Sequence, residues 1–79
     1  MLLEGKLRRA ALLAAVDICL RRMIRSPKRC ARNLIELGIS AYPDRLNKAE
    51  QNDMYDKLLA IFEKGDIQAA KALFIAAFL

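Results

Sequence analysis

The sequence of 79 residues contains no histidine, no tryptophan and no threonine, and it has only two cysteines, two prolines and three glycines. Histidine is the commonest general acid or base and a principal zinc ligand. The three glycines are dispersed and form no phosphate-binding loop. We therefore expect no enzymatic activity, no metal site, no cofactor and no small-molecule substrate.

The two cysteines are Cys19 and Cys30. They are too few for a structural zinc site, which takes four nitrogen or sulfur ligands. We interpret both as small buried apolar side chains. A Cys19–Cys30 bridge is the alternative, because both residues lie on the inward faces of neighbouring predicted helices, although a reducing cytosol disfavours it.

Long apolar runs are also missing. The longest uncharged stretches, residues 10–16 and 72–79, are far shorter than the roughly 20 residues that span a bilayer. No cationic segment precedes an apolar run near Met1, so a secretory signal is not expected. We expect a soluble, cytoplasmic protein that forms a single helical domain over residues 1–79, with its first few residues frayed.

Apolar residues make up 56% of the sequence and charged residues 29%, a mixture typical of a packed domain. The apolar positions recur with helical spacing, and no segment alternates as a half-buried strand does. The sequence predicts an all-α fold, a small bundle of three to four antiparallel helices at about 7–24, 27–37, 48–64 and 67–79. The expected core faces are Leu12, Leu13, Val16, Cys19, Leu20 and Met23; Cys30, Ala31, Leu34 and Leu37; and Met54, Tyr55, Leu58, Ile61 and Phe62.

Local signals set these boundaries. Pro27 suits the first position of a helix, and Ser26 is expected to cap that helix with its hydroxyl group. Gly38 is expected to end the second helix in a left-handed conformation. The later boundaries are a capping box from Asn47 to Glu50, a stop at Gly65, and a cap at Asp66. Along the first helix, Asp17 and Arg21 have the spacing of an ion pair.

Charge is distributed unevenly. Residues 1–35 carry nine basic and two acidic side chains, whereas residues 36–79 carry five basic and seven acidic ones. Six cations lie within twelve residues and have no acid among them; we call them the basic cluster: Arg21, Arg22, Arg25, Lys28, Arg29 and Arg32. The free N–H groups at the start of the second helix also favour anions. The cluster is interpreted as a solvated face or a contact for an acidic protein, with nucleic acid or an anionic membrane surface as alternatives.

The fourth predicted helix is apolar almost all round, since only Gln68 and Lys71 are polar between residues 67 and 79. A small bundle cannot cover every side of such a helix, and exposed apolar stripes mark interfaces. We expect a homodimer formed through Leu73, Phe74, Ile75, Phe78 and Leu79. The alternative is that this helix is central and is wrapped by the other three.

Residues 54–78 resemble a tetratricopeptide hairpin around its turn. Gly65-Asp66 stands at the turn, and Ala70, Phe74 and Ala77 stand at packing positions of the second helix. Leu58 departs from the small residue that this family prefers, and no 34-residue repeat is visible. The resemblance implies a helical hairpin only. The sequence therefore predicts a non-enzymatic, self-associating helical module for protein interaction or regulation, with a nucleic-acid-binding regulator that uses residues 21–32 as the alternative.

Overall fold

The computed structural model describes the backbone of residues 2–22 and 25–79, and the side chains of residues 8–22 and 25–79. It contains four helices: α1 (Leu2–Leu20), α2 (Pro27–Ala41), α3 (Lys48–Glu63) and α4 (Ile67–Phe78). No strand occurs in these ranges. The predicted all-α bundle is confirmed.

The helices form a bundle in which α2 and α4 occupy the middle. Each of these two helices contacts the three others, whereas α1 and α3 do not contact each other in the described part of the chain. Short connections keep sequential helices adjacent. The expectation that α4 alone is either central or largely uncovered is thus replaced by a pair of central helices.

The first helix differs from its predicted bounds at both ends. It begins at Leu2 rather than near residue 7, and it ends at Leu20 rather than near residue 24. The chain has to reverse before Pro27, and the N–H of Arg22 bonds to the carbonyl of Cys19 at 3.1 Å in a tight turn. Met23, which was expected in the core, lies outside the described residues.

The start of α2 is partly as predicted. Pro27 is the first helical residue, but the Ser26 side chain makes no capping hydrogen bond. The predicted hydroxyl cap is therefore wrong. The Ser26 carbonyl instead accepts the first helical bond, from the N–H of Cys30 at 2.9 Å.

Gly38 does not end α2, and this prediction was also wrong. The helix continues to Ala41, and the Gly38 carbonyl accepts a helical hydrogen bond from the N–H of Tyr42 at 2.8 Å. Gly38 is buried against α4, where a Cβ atom would overlap the ring of Phe78. A missing side chain, rather than left-handed geometry, explains the glycine at this position.

The ends of α3 follow the predicted signals. Asn47 Oδ1 accepts from the N–H of Glu50 at 2.8 Å, and the Asn47 N–H donates to Glu50 Oε1 at 3.0 Å, which completes the capping box. Gly65 has a φ of 68°, and its N–H and that of Asp66 bond back to Phe62 and Ile61 in a Schellman motif. Asp66 then caps α4 by accepting from the N–H of Ala69 at 3.0 Å.

All four helices contribute to the core, and within each helix the buried residues recur mostly three or four positions apart. Its buried apolar residues are Leu12, Val16, Leu20, Cys30, Ala31, Leu34, Ile35, Met54, Leu58, Phe62, Ala70, Phe74 and Phe78. Ile35 enters this core although it was not expected there. Leu13, Leu37, Tyr55 and Ile61, which were expected in it, are half-buried.

One ion pair joins α1 to α4. Asp17 Oδ1 lies 3.0 Å from Lys71 Nζ, so its carboxylate does not form the expected pair with Arg21. Both side chains are partly solvated, which limits the pair to about 0.2–1 kcal/mol of stability. Lys71 is one of two polar residues within α4, and its ammonium group is paired with the Asp17 carboxylate.

The helices of residues 2–22 and 25–79 were compared in length and hydropathy with what a bilayer requires. None of them is both long enough and apolar enough to pass through a bilayer.

Replacing Leu20 or Leu34 by Asp should each destabilise the domain by about 3–5 kcal/mol, because an unpaired carboxylate would enter the core. Both leucines are at most 2% exposed. Ile18→Asp is the matched control, since Ile18 lies on the same helix as Leu20 but is 56% exposed. Urea unfolding followed by circular dichroism measures all three. Equal stability of the Leu20 variant and the Ile18 variant would contradict the assigned faces of α1.

Gly38→Ala should destabilise the domain although alanine favours helix. Helix propensity stabilises the variant by up to about 1 kcal/mol, whereas overpacking costs about 1–3 kcal/mol. The Phe78 ring is 1% exposed and has little room to move away. Thermal unfolding should show a lower Tm for Gly38→Ala, and no loss for Ser40→Ala at an exposed position of the same helix.

A double variant tests whether the ring is the cause. In the Phe78→Leu background, Gly38→Ala should cost less than in the wild-type background, because leucine lacks the Cε2 and Cζ atoms, which are two of the three ring atoms that the new Cβ would overlap. Additive losses would place the cost of Gly38→Ala elsewhere.

Candidate binding groove

An open groove of about 770 Å³ runs between α1 and α2. Both helices and the turn between them contribute to it. Its lining residues are Ala15, Ile18, Cys19, Arg22, Arg25, Ser26, Arg29, Cys30, Asn33, Glu36, Leu37 and Ser40. We call this the α1–α2 groove.

Part of the groove lining is apolar on both helices. Ala15 and Ile18 contribute from α1, and Leu37 contributes from α2. Ile18 is 56% exposed, the most exposed large apolar side chain among the described residues. These side chains offer an apolar contact that the intrachain core does not use fully.

The charges of the groove are separated along it. Arg22, Arg25 and Arg29 line the end formed by the α1–α2 turn, and the acidic lining residue is Glu36. Glu36 is seven positions after Arg29, which places them about two helical turns, or about 10 Å, apart along α2. The groove therefore has a cationic end and a more neutral end.

The structure divides the basic cluster. All six cations are exposed, but only Arg22, Arg25 and Arg29 line the groove. The guanidinium of Arg32 lies 6.0 Å from the ring centre of Tyr55, on the side of α2 that faces α3. Arg21 and Lys28 lie outside the groove lining.

Among the described side chains, no residue of the basic cluster forms an ion pair. The two ion pairs found there join Lys57 to Asp53 and Lys71 to Asp17. The positive charge of the groove end is therefore not neutralised by a described carboxylate, and it remains open to an anionic partner.

Two thiols lie at the base of the groove. Cys19 Sγ and Cys30 Sγ are 3.5 Å apart and are not bonded as a disulfide. Each thiol reaches the main chain of the other residue: Cys30 Sγ donates to the Cys19 carbonyl at 3.2 Å, and Cys19 Sγ donates to the Cys30 carbonyl at 3.5 Å. The two side chains thus meet across the helix interface, as their inward positions predict.

The two thiols have different surroundings. Cys30 is 2% exposed, whereas Cys19 is half-buried. Burial, together with the hydrogen bond and the charge interaction with Cys19, raises the pKa of the Cys30 thiol to about 12. Cys30 is therefore a neutral thiol at physiological pH. Within the described residues no third histidine, cysteine or carboxylate joins this pair in a group that could hold a metal ion.

The predicted association residues of α4 are not all on the surface. Phe74 and Phe78 are 0% and 1% exposed, and their rings pack together with centroids 5.0 Å apart. They belong to the intrachain core, so their placement on an association surface is corrected. Leu73, Ile75 and Leu79 are half-buried. Residues 70, 74 and 78 are four positions apart and therefore lie on the same, inward face of α4. Because α4 is apolar on nearly every side, the sequence pattern did not identify which face is buried.

The sequence interpretation did not single out Ile18 as a surface residue. The available signal was its position outside the predicted apolar face of α1, three residues after Ala15 and four before Arg22. A large apolar residue on a polar face is uninformative when isolated. Only the neighbouring α2 residues make it part of a groove.

Comparison with protein-family models, curated proteins and solved structures finds no match for this chain.

Proposed function

We propose that this protein is a non-enzymatic helical interaction module, and that it binds an acidic, amphipathic segment of a partner protein in the α1–α2 groove. The observation that carries the proposal is the combination of an exposed apolar strip at Ile18 with three arginines at one end of the same groove. Binding of this kind suits a regulatory or assembly role.

The chemistry of the lining selects the partner. Apolar side chains of the partner would cover Ala15, Ile18 and Leu37, which removes apolar surface from water. Carboxylates of the partner would face Arg22, Arg25 and Arg29, whose planar guanidinium groups match carboxylate geometry. A helix is the natural form for such a segment, because one face can be apolar while the other is acidic.

A model peptide tests this recognition. We expect a labelled helical peptide of about 15 residues, with leucines on one face and glutamates on the other, to bind in a fluorescence anisotropy titration. A peptide with lysines in place of the glutamates should bind at least about tenfold more weakly, because its charges would face the three arginines.

Two triple variants locate the binding site. Replacing Arg22, Arg25 and Arg29 by Gln should weaken binding of the acidic peptide about tenfold or more. Replacing Lys48, Lys57 and Lys64 by Gln removes the same charge from α3 and its end, outside the groove lining, and should leave binding nearly unchanged. Equal losses in both variants would reduce the effect to net charge and contradict the groove. So would equal affinity for the two peptides.

Nucleic-acid binding is the second candidate, and the exposure of all six cations of the basic cluster favours it. Phosphate contacts are not confined to a groove, so Arg21 and Lys28 would contribute as well. A labelled DNA duplex would then bind with a log K against log salt slope near −4.5, the value for about five phosphate contacts. The acidic-peptide proposal predicts a shallower slope for the peptide and weak duplex binding at physiological salt.

Self-association through α4 remains a proposal, restricted to the residues that the core leaves uncovered. Leu73, Ile75 and Leu79 are half-buried, and Ile67 at the start of α4 is 43% exposed. Small domains have marginal cores, and a second copy is a common source of further burial. We propose a homodimer that covers the exposed parts of these α4 side chains, with Ile75 at its centre.

Light scattering coupled to gel filtration measures the association. Wild-type protein should be a dimer at high micromolar concentration, and Ile75→Glu should be a folded monomer. Phe78→Glu, by contrast, should unfold the domain, because Phe78 lies in the core. A monomeric wild type would contradict the homodimer and would leave the groove proposal unaffected.

A further inference from the structure

The cysteine pair is already close to bonding geometry. The two sulfur atoms are 3.5 Å apart, and a disulfide bond is about 2.05 Å long. Small side-chain rotations of both residues would bring them into bonding distance. The hydrogen bond from each thiol to the carbonyl of the other residue shows that the two main chains are also near each other.

The two thiols differ in access. Cys19 lines the groove and is half-buried, whereas Cys30 is 2% exposed. A reagent that enters the groove therefore meets Cys19 first. The raised pKa of Cys30, about 12, also disfavours a direct attack by that thiol on a dissolved reagent.

The groove favours a reagent of negative charge. Arg22, Arg25 and Arg29 line it together with Cys19. A cluster of one sign in a concave site raises the local concentration of ions of the opposite sign. Low-molecular-weight disulfides that carry carboxylates, such as glutathione disulfide, have this charge.

We infer that Cys19 and Cys30 form an oxidisable dithiol site that reacts with anionic low-molecular-weight disulfides, with Cys19 as the attacking thiol and Cys30 as the resolving thiol. The reaction is stoichiometric and yields an intrachain disulfide between α1 and α2. The inference does not depend on the partner proposed for the groove.

The chemistry takes two exchange steps. The Cys19 thiolate attacks one sulfur of the reagent, so that a mixed disulfide forms on Cys19 and one reagent thiolate leaves and takes up a proton. Cys30 loses its proton and its sulfur attacks Cys19 Sγ, which forms the Cys19–Cys30 bond and releases the second reagent thiol. Two protein thiols are oxidised, and one reagent disulfide is reduced to two thiols.

Mass spectrometry of reduced protein treated with glutathione disulfide tests the site. The wild type should lose the mass of two hydrogen atoms as a monomer. Cys30→Ala should instead accumulate one glutathione adduct on Cys19, and Cys19→Ala should remain largely unmodified. Two free thiols in the treated wild type, or disulfides between chains, would overturn the inference.

The order of reaction can also be read in the unaltered protein, which avoids reliance on the folding of the variants. Partial alkylation with iodoacetamide near neutral pH, followed by peptide mapping, should label Cys19 at least about tenfold faster than Cys30. Faster labelling of Cys30 would contradict the assigned roles. Oxidation should also raise the Tm by about 10 °C, because the bond closes a loop across the 11-residue separation of the two cysteines.

The contribution of the arginines is tested by reagent charge. Replacing Arg22, Arg25 and Arg29 by Gln should slow oxidation by glutathione disulfide about tenfold, and should leave oxidation by the uncharged hydroxyethyl disulfide unchanged. The variant with Lys48, Lys57 and Lys64 replaced by Gln is the control of equal charge. Equal slowing with both reagents, or equal slowing in the control, would show that the arginines do not select anionic reagents.

Discussion

The ring of Phe78 lies in the space that a side chain at position 38 would occupy, and this contact sets how closely α4 can approach α2. Because both helices contact all the others, their separation affects the whole bundle. Phe74 and Ala70, one and two turns earlier on α4, are buried on the same side. The packing of the core therefore depends on the absence of a side chain at Gly38.

The same helix that receives Phe78 also forms a wall of the groove. The buried face of α2 includes Leu34 and Gly38, whereas Asn33 and Ser40 turn toward the groove. Helical periodicity places the core face and the groove face on different sides of the same helix. Changes at the exposed positions should therefore cost little stability, as expected for surface substitutions away from the core, so they can test the proposed binding separately from folding.

The two ends of the groove differ in charge. The sequence concentrates positive charge around the α1–α2 turn, and the fold places three of these cations at one end of the groove while Arg32 lies beside Tyr55. The thiol pair lies at the base of the same groove, in a setting where burial keeps Cys30 protonated. Partner binding and thiol chemistry would thus share one entrance.

The sequence alone determined the all-α class with three to four helices, the capping box at Asn47, the turn at Gly65 and the inward positions of Cys19 and Cys30, because these follow from local hydrogen bonding and helical spacing. It also located the basic cluster. Only the tertiary structure decided that α2 passes through Gly38, that Phe74 and Phe78 are internal, and that Ile18 borders a groove. Each of these depends on which helix lies opposite, and local patterns contain no information about a neighbour that is distant in the chain.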